Sequence, residues 1–581
     1  MQAKDAAPQP LETTGNLLDR LSSVKNRFTP MDRKAKVNAL RALQNVEIHH
    51  VASLIQLHEI LCFLRAYPDG PEVLRLVEEA LSGFASRVDL IKECGRPSDL
   101  KKLQDTGIVH TTVYYPYPYE MAHWLTEHFP KDVELDWEDN AGLDKIRDLL
   151  PFAVAYAEND ALDDERVSLR DWVKAAKRKQ KVSDLRWLLV TLSRSSLPLE
   201  VIRFLYNNGE LLLGWELRDT TASRTLAKFP TGRFFYHESP LLRGEVDFWS
   251  EVQKPLRELT PVSRKTGEAL IHLFRLALSV RHREFHPLLH ANSQDVWMAN
   301  VDRGLRIVLV GVLPDFRLPL EGYYGFLALK NGVPVGYGGG GALLDRLECA
   351  GNIFESFRQG ESIFVFSQVF RTFHQLYGSR VFLVPRYQVG HENDEALASG
   401  AFWFYHKLGF RPEDPGVLRL SEEEHGRIKA DPFYRSSRRI LEKLAQSDMV
   451  FRLAPYDPQA CQVFQPSNLG LRVSRHIARR WNGDRAAAIR AASERVARCL
   501  STPGWRRWPR AERMALERLA PILVLIPELA DWTPAEKLAV VRIVKAKGVS
   551  RESDYIRLLR GHARLSRALC DLTRVPGAPQ A

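Results

Sequence analysis

Residues 348–377 read ECAGNIFESFRQGESIFVFSQVFRTFHQLY, and the order of signals in this stretch decides the fold. Residues 348–357 read as a strand. The polar turn Arg358-Gln359-Gly360-Glu361-Ser362 follows, and a helix over 362–377 opens there. Ile363, Phe366, Phe370, Phe373 and Tyr377 stripe one face of that helix at three- and four-residue steps. A turn that opens a helix presents unpaired backbone N–H groups and the positive end of the helix dipole, which suits a pyrophosphate. Gly360 lets the backbone approach a phosphate, and Arg358 supplies a cation.

Upstream, the spacing predicts a helix over 263–280 and strands over 306–313 and 323–330. Asn331-Gly332 is a strong two-residue hairpin signal, and the next strand, 333–337, runs into Gly338–Gly341. As a string, Gly336-x-Gly338-x-x-Gly341 satisfies a dinucleotide fingerprint. No long helix opens after it and no acidic residue ends a second strand at the required distance, so it reads instead as a glycine-rich strand end allowing close backbone approach. Downstream come a strand over 380–384 and a helix over 396–408, which carries the run Ala401-Phe-Trp-Phe-Tyr405-His-Lys-Leu-Gly409-Phe410.

In this order and spacing, residues 255–425 resemble the GNAT (N-acetyltransferase) superfamily. That family's phosphate loop reads Q/R-x-x-G-x-G/A, and its last helix reads A-x-x-x-Y-x-K-x-G-F. Phe357, Arg358, Gln359, Gly360, Glu361 and Ser362 lie over the first pattern, and 401–410 matches the second. Phe357 departs from the usual polar residue and Ser362 from the usual Gly or Ala. Asn393 stands twelve residues before Tyr405, which implies an inserted stretch at 390–397. The resemblance implies an α/β fold: a GNAT-like mixed twisted sheet with flanking helices, between N- and C-terminal all-α regions.

The resemblance further implies an acyl-CoA-dependent N-acyltransferase that uses acetyl-CoA or another acyl-CoA as co-substrate. The strand before the loop would pair its backbone with pantetheine, and residues 357–362 would hold the pyrophosphate. Attack of an amine on a thioester needs a base for the amine and an acid for the departing thiolate. Tyr405 occupies the family position for the acid; core packing beside Phe402 and Phe404 is its alternative. Glu355, placed on the strand, is the candidate base, with His406 and Glu392 as weaker choices. The amine acceptor stays open. A different class of function is a non-catalytic acyl-CoA-binding scaffold or sensor.

The 581-residue chain is 45% hydrophobic and 26% charged, which suits folded domains and excludes collagen-like or low-complexity classes. No apolar run approaches the ~18 residues of a membrane helix, and 1–16 lacks the apolar core of a secretory signal, so a cytoplasmic protein is expected. The net charge of +11 conceals two opposed regions: 120–171 has 15 Asp/Glu against 5 Lys/Arg, and 466–581 has 23 Lys/Arg against 10 Asp/Glu. The basic tail therefore suggests an acidic partner or nucleic acid, and the Trp505-Arg506-Arg507-Trp508-Pro509-Arg510 run interleaves aromatics with cations as nucleic-acid surfaces do. Pairing of the tail with 120–171 inside the fold, solvated helix faces and cation–π packing are the alternatives. The six cysteines lie far apart and read as free thiols. His282, His286 and His290 recur every four residues, but Pro287 interrupts the helix and no fourth ligand is visible, so no metal is expected. The organisation expected is a disordered leader (1–14), a helical domain (15–185), a connector (186–254), the acyltransferase domain (255–425) and a basic helical domain (426–581).

Overall fold

The computed structural model describes residues 13–44, 46–138, 141–244, 246–283, 286–431, 433–453, 464–549 and 551–573. Most of the expected leader lies outside them. Internal contacts group the chain into two units, Met1–Pro240 with His272–Leu289, and Leu241–Ile271 with His290–Ala581. Sequence segmentation drew five regions, whereas contacts join 15–185 to most of the connector, and join most of 255–425 to the basic helices.

The first unit is mainly helical. The helices Pro30–Gln44, Val51–Ala66 and Pro71–Ser82 bury Leu40, Leu54, Leu61, Val73 and Val77 among one another. An all-α region is not what forms, however. β1 (Thr112–Tyr115) and β2 (Val133–Leu135) flank β3 (Leu213–Glu216) in an antiparallel sheet of order β1-β3-β2. The prolines of 114–119 bound that strand, consistent with their missing donors. Tyr117 is buried, and its hydroxyl donates to the Ser279 carbonyl at 3.0 Å, so this aromatic cluster is packed.

The second unit is built on a nine-stranded sheet. Its strands are β4 (Glu258–Pro261), β5 (Ala291–Asn300), β6 (Leu305–Val312), β7 (Gly322–Lys330), β8 (Val333–Leu343), β9 (Arg346–Ile353), β10 (Val381–Val384), β11 (Arg411–Pro412) and β12 (Met449–Arg452). The order is β11-β12-β10-β9-β8-β7-β6-β5-β4, antiparallel except for the parallel pair β9–β10. The β7–β8 turn is the anticipated Asn331-Gly332 pair, both with positive φ (48° and 83°), which matches the right-handed twist of the strands it joins. The region after 426 is not wholly helical, because the four-residue β12 pairs with β10 and β11. A run that short carries no readable period.

β8 extends through all of the glycines that sequence reading placed after its end. Two of them are filled by aromatic rings. A Cβ on Gly338 would meet the Ala350 carbonyl oxygen at 2.1 Å and Phe326 at 2.5 Å, and one on Gly340 would meet the Phe373 ring at 2.7 Å. Phe373 comes from the helix Ser362–Tyr377, whose bounds match the sequence pattern and whose Phe366, Phe370 and Phe373 are buried. Each such ring contributes roughly 1.5–3 kcal/mol by leaving water. The glycines thus seat a helix on a sheet.

The same helix packs against the C-terminal helix Glu552–Gly561, which also packs on β7 and β8. That docking is polar at its centre. The Tyr324 hydroxyl donates to Asp295 at 2.7 Å, and the Glu552 and Ser553 amides donate to Asp295 and to the Tyr324 oxygen, each at 2.9 Å. Lys547 bridges to Glu552 at 2.6 Å, and Arg317 donates to the carbonyls of Lys547 and Val549. Asp295, Arg317, Glu552 and Lys547 are all buried, so two acids and two bases balance.

Candidate functional site

The site is built where β9 leaves β10. Arg346, Leu347 and Glu348 pair in parallel with Val381, Phe382 and Leu383, and no strand among the described residues pairs with the rest of β9 on that side. On its other side β9 stays paired with β8 from Arg346 to Ile353. Residues 349–353 therefore present one open backbone edge, on which the Gln388 side chain donates to the Gly351 carbonyl at 2.6 Å.

The turn that follows differs from the sequence reading in its first half. β9 ends at Ile353, and Glu355–Phe357 forms a 3-10 turn, so Glu355 is not a strand residue; it lies exposed on that turn. The break arises because the Phe357 and Arg358 amides turn back to Phe354 and Glu355, leaving no ladder to continue. Phe357 is buried. Arg358, expected to supply a cation to the phosphate, is ion-paired with Glu395 at 2.6 Å. The Gly360 amide donates to the Phe357 carbonyl at 2.8 Å, so its N–H closes the turn instead of reaching a ligand. The Gln359 carbonyl accepts from Arg243, and the Ser362 hydroxyl lies 3.4 Å from the Arg358 carbonyl.

Glu361 points inward. Its carboxylate, 1% exposed, is held by Lys330 at 2.8 Å and Arg303 at 2.7 Å, and accepts from the Leu242 amide at 3.1 Å. Burial raises its pKa, but Lys330, Arg303 and the Leu242 amide more than offset this and hold the carboxyl below its ordinary value. Burial in turn pushes Lys330 down to about 8, against the pull of Glu361. The helix then begins, its first internal bond running from the Val365 amide to the Glu361 carbonyl. The amides of Ser362, Ile363 and Phe364 have no partner among the described residues, as at any helix start.

Tyr405 lies on the short helix Ala401–Lys407, which Gly400 separates from Asp394–Ser399; the single helix expected over 396–408 is thus two. Tyr405 is buried between Phe366, Phe404 and Phe410, with its phenol pushed up by burial beside Cys349 on β9 and within reach of the Gln388 side chain. Gln388 thereby links the phenol to the open edge. His406 is pushed down to about 3 by burial, with Arg411, His425 and Lys429 adding to it, while Glu392 is exposed beyond the site.

Sequence reading missed Glu348. It stands on β9 at the last residue paired with β10, on the face opposite Cys349. Its side chain is exposed, yet the protein crowding it and the charge of Asp448 raise its carboxyl above the ordinary value. Tyr323, Gly341 and Glu348 form one row across β7, β8 and β9; Gly325, Gly339 and Ala350 form the next row on that face, and Leu327, Tyr337 and Asn352 the third. The middle row has almost no side-chain bulk. Arg243, Arg303, Lys330 and Gln388 were missed as well, since nothing local marks residues that meet the loop from 30 to 120 positions away.

Other motifs resolve as packing. Trp505 is buried with Arg506 against its ring, and Lys545 sits 4.5 Å over the Trp508 ring, so both aromatics of that run are occupied. The helix ahead of His282 ends at Ser279; His282 has a left-handed backbone and lies 3.3 Å from Asp105, while His290 stacks on Phe316. The three histidines therefore do not share a helical face. Among the described residues no group of three or more His, Cys, Asp or Glu is placed to hold a metal, and no helix is long and apolar enough to cross a membrane. Cys570 is disulfide-bonded, a correction to the expectation of free thiols, and Cys461 lies outside the described residues. No family model, curated protein or solved structure matches the chain.

Proposed function

We propose that the second unit is an acyl-CoA-dependent N-acyltransferase with a GNAT-like sheet. The observation that carries this reading is the half-open strand β9: over residues 349–353 the alternate peptide groups that face away from β8 have no strand partner, only Gln388 on the Gly351 carbonyl, immediately before a turn whose helix offers three unpaired amides. Pantetheine carries two amides of its own and fits such an edge, displacing Gln388 from Gly351. The pyrophosphate then lies at the amides of Ser362, Ile363 and Phe364, with Arg243 and Arg358 beside it. Gly360 shapes this turn, and Glu361 anchors it from behind.

The acceptor amine approaches over the row of small residues. Glu348 takes its proton, directly or through water, in preference to Glu355, because a carboxyl with a raised pKa is a stronger base. The amine attacks the thioester carbonyl, the C–S bond breaks, and Tyr405 protonates the departing thiolate. A phenol kept neutral by burial retains the proton this step needs. A cytoplasmic location, where CoA thioesters are used, belongs to this reading; the Cys570 disulfide is the feature that argues against it.

Titration calorimetry of CoA and acetyl-CoA into the full chain, with mass spectrometry of the purified protein for retained CoA, tests the reading. Binding is expected, and its absence for both ligands overturns the proposal. Tyr405→Phe keeps the ring and should lower kcat by ~10²–10⁴-fold while leaving acyl-CoA affinity unchanged. Binding without turnover in the wild type, over a panel of amines, would leave the sensor reading in its place.

A further inference from the structure

The positive charge of the tail is not spread evenly over its surface. The helices Pro466–Trp481 and Arg485–Cys499 follow one another with a tight turn at Asn482-Gly483 and pack together. Residues 466–499 contain eight arginines, no lysine, and only Asp484 and Glu494 as acids. Both acids are engaged, Asp484 as a cap on the Ala487 amide and Glu494 with Arg506. Arg475, Arg479, Arg480, Arg490, Arg495 and Arg498 are all exposed, and none makes an ion pair or hydrogen bond among the described residues. Burial holds the His476 imidazole below its ordinary value, and Arg480 and Arg495, one from each helix, add to this, so the two helices contribute to one positive surface.

Elsewhere in the tail most cations are engaged, the side chains of Arg507, Arg542 and Arg567 excepted among the described residues. Arg518 donates to the carbonyls of Pro314 and Asp315, Arg560 pairs with Asp345, Arg564 with Glu536, and Lys545 with Glu512. Free arginine therefore concentrates on the helix pair. Leaving six guanidinium groups unpaired on two adjacent helices costs repulsion, which a polyanion relieves. We infer that this helix pair docks the phosphate backbone of a nucleic acid. Guanidinium forks match phosphate oxygens in pairs, and Ala478, Ala486 and Ala487 between the arginines let a backbone come close. A lipid surface would call for a continuous apolar face between the cations, but Leu471 and Ile489 are the only large apolar side chains exposed on these helices. The aromatic rings of the Trp505–Trp508 run are occupied, so recognition is of phosphate and not of base.

Fluorescence anisotropy of the full chain with a labelled single-stranded RNA of about 20 nucleotides tests this. Six phosphate contacts to a single strand predict an affinity that falls roughly 300-fold between ~50 and ~200 mM salt. The variant R475Q/R479Q/R490Q/R498Q should bind at least ~100-fold more weakly at low salt, with a shallower salt slope. These side chains are exposed and make no ion pair or hydrogen bond among the described residues, so its thermal melt should coincide with the wild type. No binding at ~50 mM salt, or binding that the four substitutions leave unchanged, overturns the inference. So does tighter binding to phosphatidylserine vesicles or to a polyglutamate peptide than to RNA, which would assign the surface to lipid or to an acidic protein.

Discussion

Two buried carboxylates in the same sheet unit behave in opposite ways. Asp295 and Glu361 are each about 1% exposed, and burial raises both. Asp295 ends up at about 6, whereas Glu361 ends below its ordinary value. The difference lies in what faces them. Asp295 accepts from neutral donors, the Tyr324 and Trp297 side chains and the Glu552 amide, with its nearest guanidinium, Arg317, at 3.8 Å. Glu361 touches two cations at 2.7 and 2.8 Å. A neutral donor lowers the cost of a buried charge, but only a cation in contact reverses it. The first cluster therefore pins the C-terminal helices without needing a full charge, and the second ties the phosphate turn to the sheet with one.

The largest effect should come from breaking the second cluster. Glu361→Ala leaves Lys330 buried without its carboxylate, so urea denaturation should show a loss of ~3–5 kcal/mol, with acyl-CoA affinity falling in parallel as the turn loosens. A loss under ~1 kcal/mol would mean that water reaches Lys330 and that the two clusters do not differ as argued.

The pH dependence sharpens the comparison, because the two signs are opposite. The folded value of Asp295 lies above its unfolded one, so the native state holds the proton more tightly. Its contribution is greatest below pH ~4 and is lost as pH rises to ~6, by roughly 3 kcal/mol at 1.36 kcal/mol per unit. Glu361 is lowered, so its contribution is present above its unfolded value and is lost as pH falls. Asp295→Asn should flatten the stability profile between pH ~4 and ~6, whatever it costs in absolute terms, while Glu361→Gln should remove the loss on the acid side. Chemical denaturation at a series of pH values reads both, and an unchanged slope for Asp295→Asn would show that another group titrates there.

The smallest effect belongs to the exposed pair. Arg358 and Glu395 are about two-fifths exposed, so Arg358→Gln should shift stability by only ~0.2–1 kcal/mol and weaken acyl-CoA binding only modestly. A loss as large as that from Glu361→Ala would make Arg358 the principal phosphate ligand and reverse the ranking of the two sides of the turn.

Much of the sheet's middle was legible. The strands at 306–313 and 323–330, the Asn331-Gly332 hairpin and the helix over 362–377 all appear within a residue or two, because each depends on neighbours close in sequence. β4 and β5 towards one edge and β12, next to the other, were not legible. Their residues lack a clean alternation, and they become strands only by pairing with partners already in place. The candidate site divides in the same way. The turn and Tyr405 could be located from local pattern, but the strand position of Glu355, the cation at Arg358 and the open amide of Gly360 could not be judged without knowing which groups return to meet them.

By itself, the amino-acid sequence determined the order strand, glycine turn, aromatic-striped helix, and the confinement of unbalanced arginine to the tail. Both follow from periodicity and composition, which act over a few residues. Tertiary structure alone decided that β9 keeps one edge open for five residues, that Glu361 is swallowed by Lys330 and Arg303, and that Glu552 brings a helix start onto Asp295 from 257 positions away. Those outcomes depend on which partner occupies each buried polar group. In a low-dielectric interior that choice is worth several kcal/mol, yet it leaves no mark on the residues next in the chain.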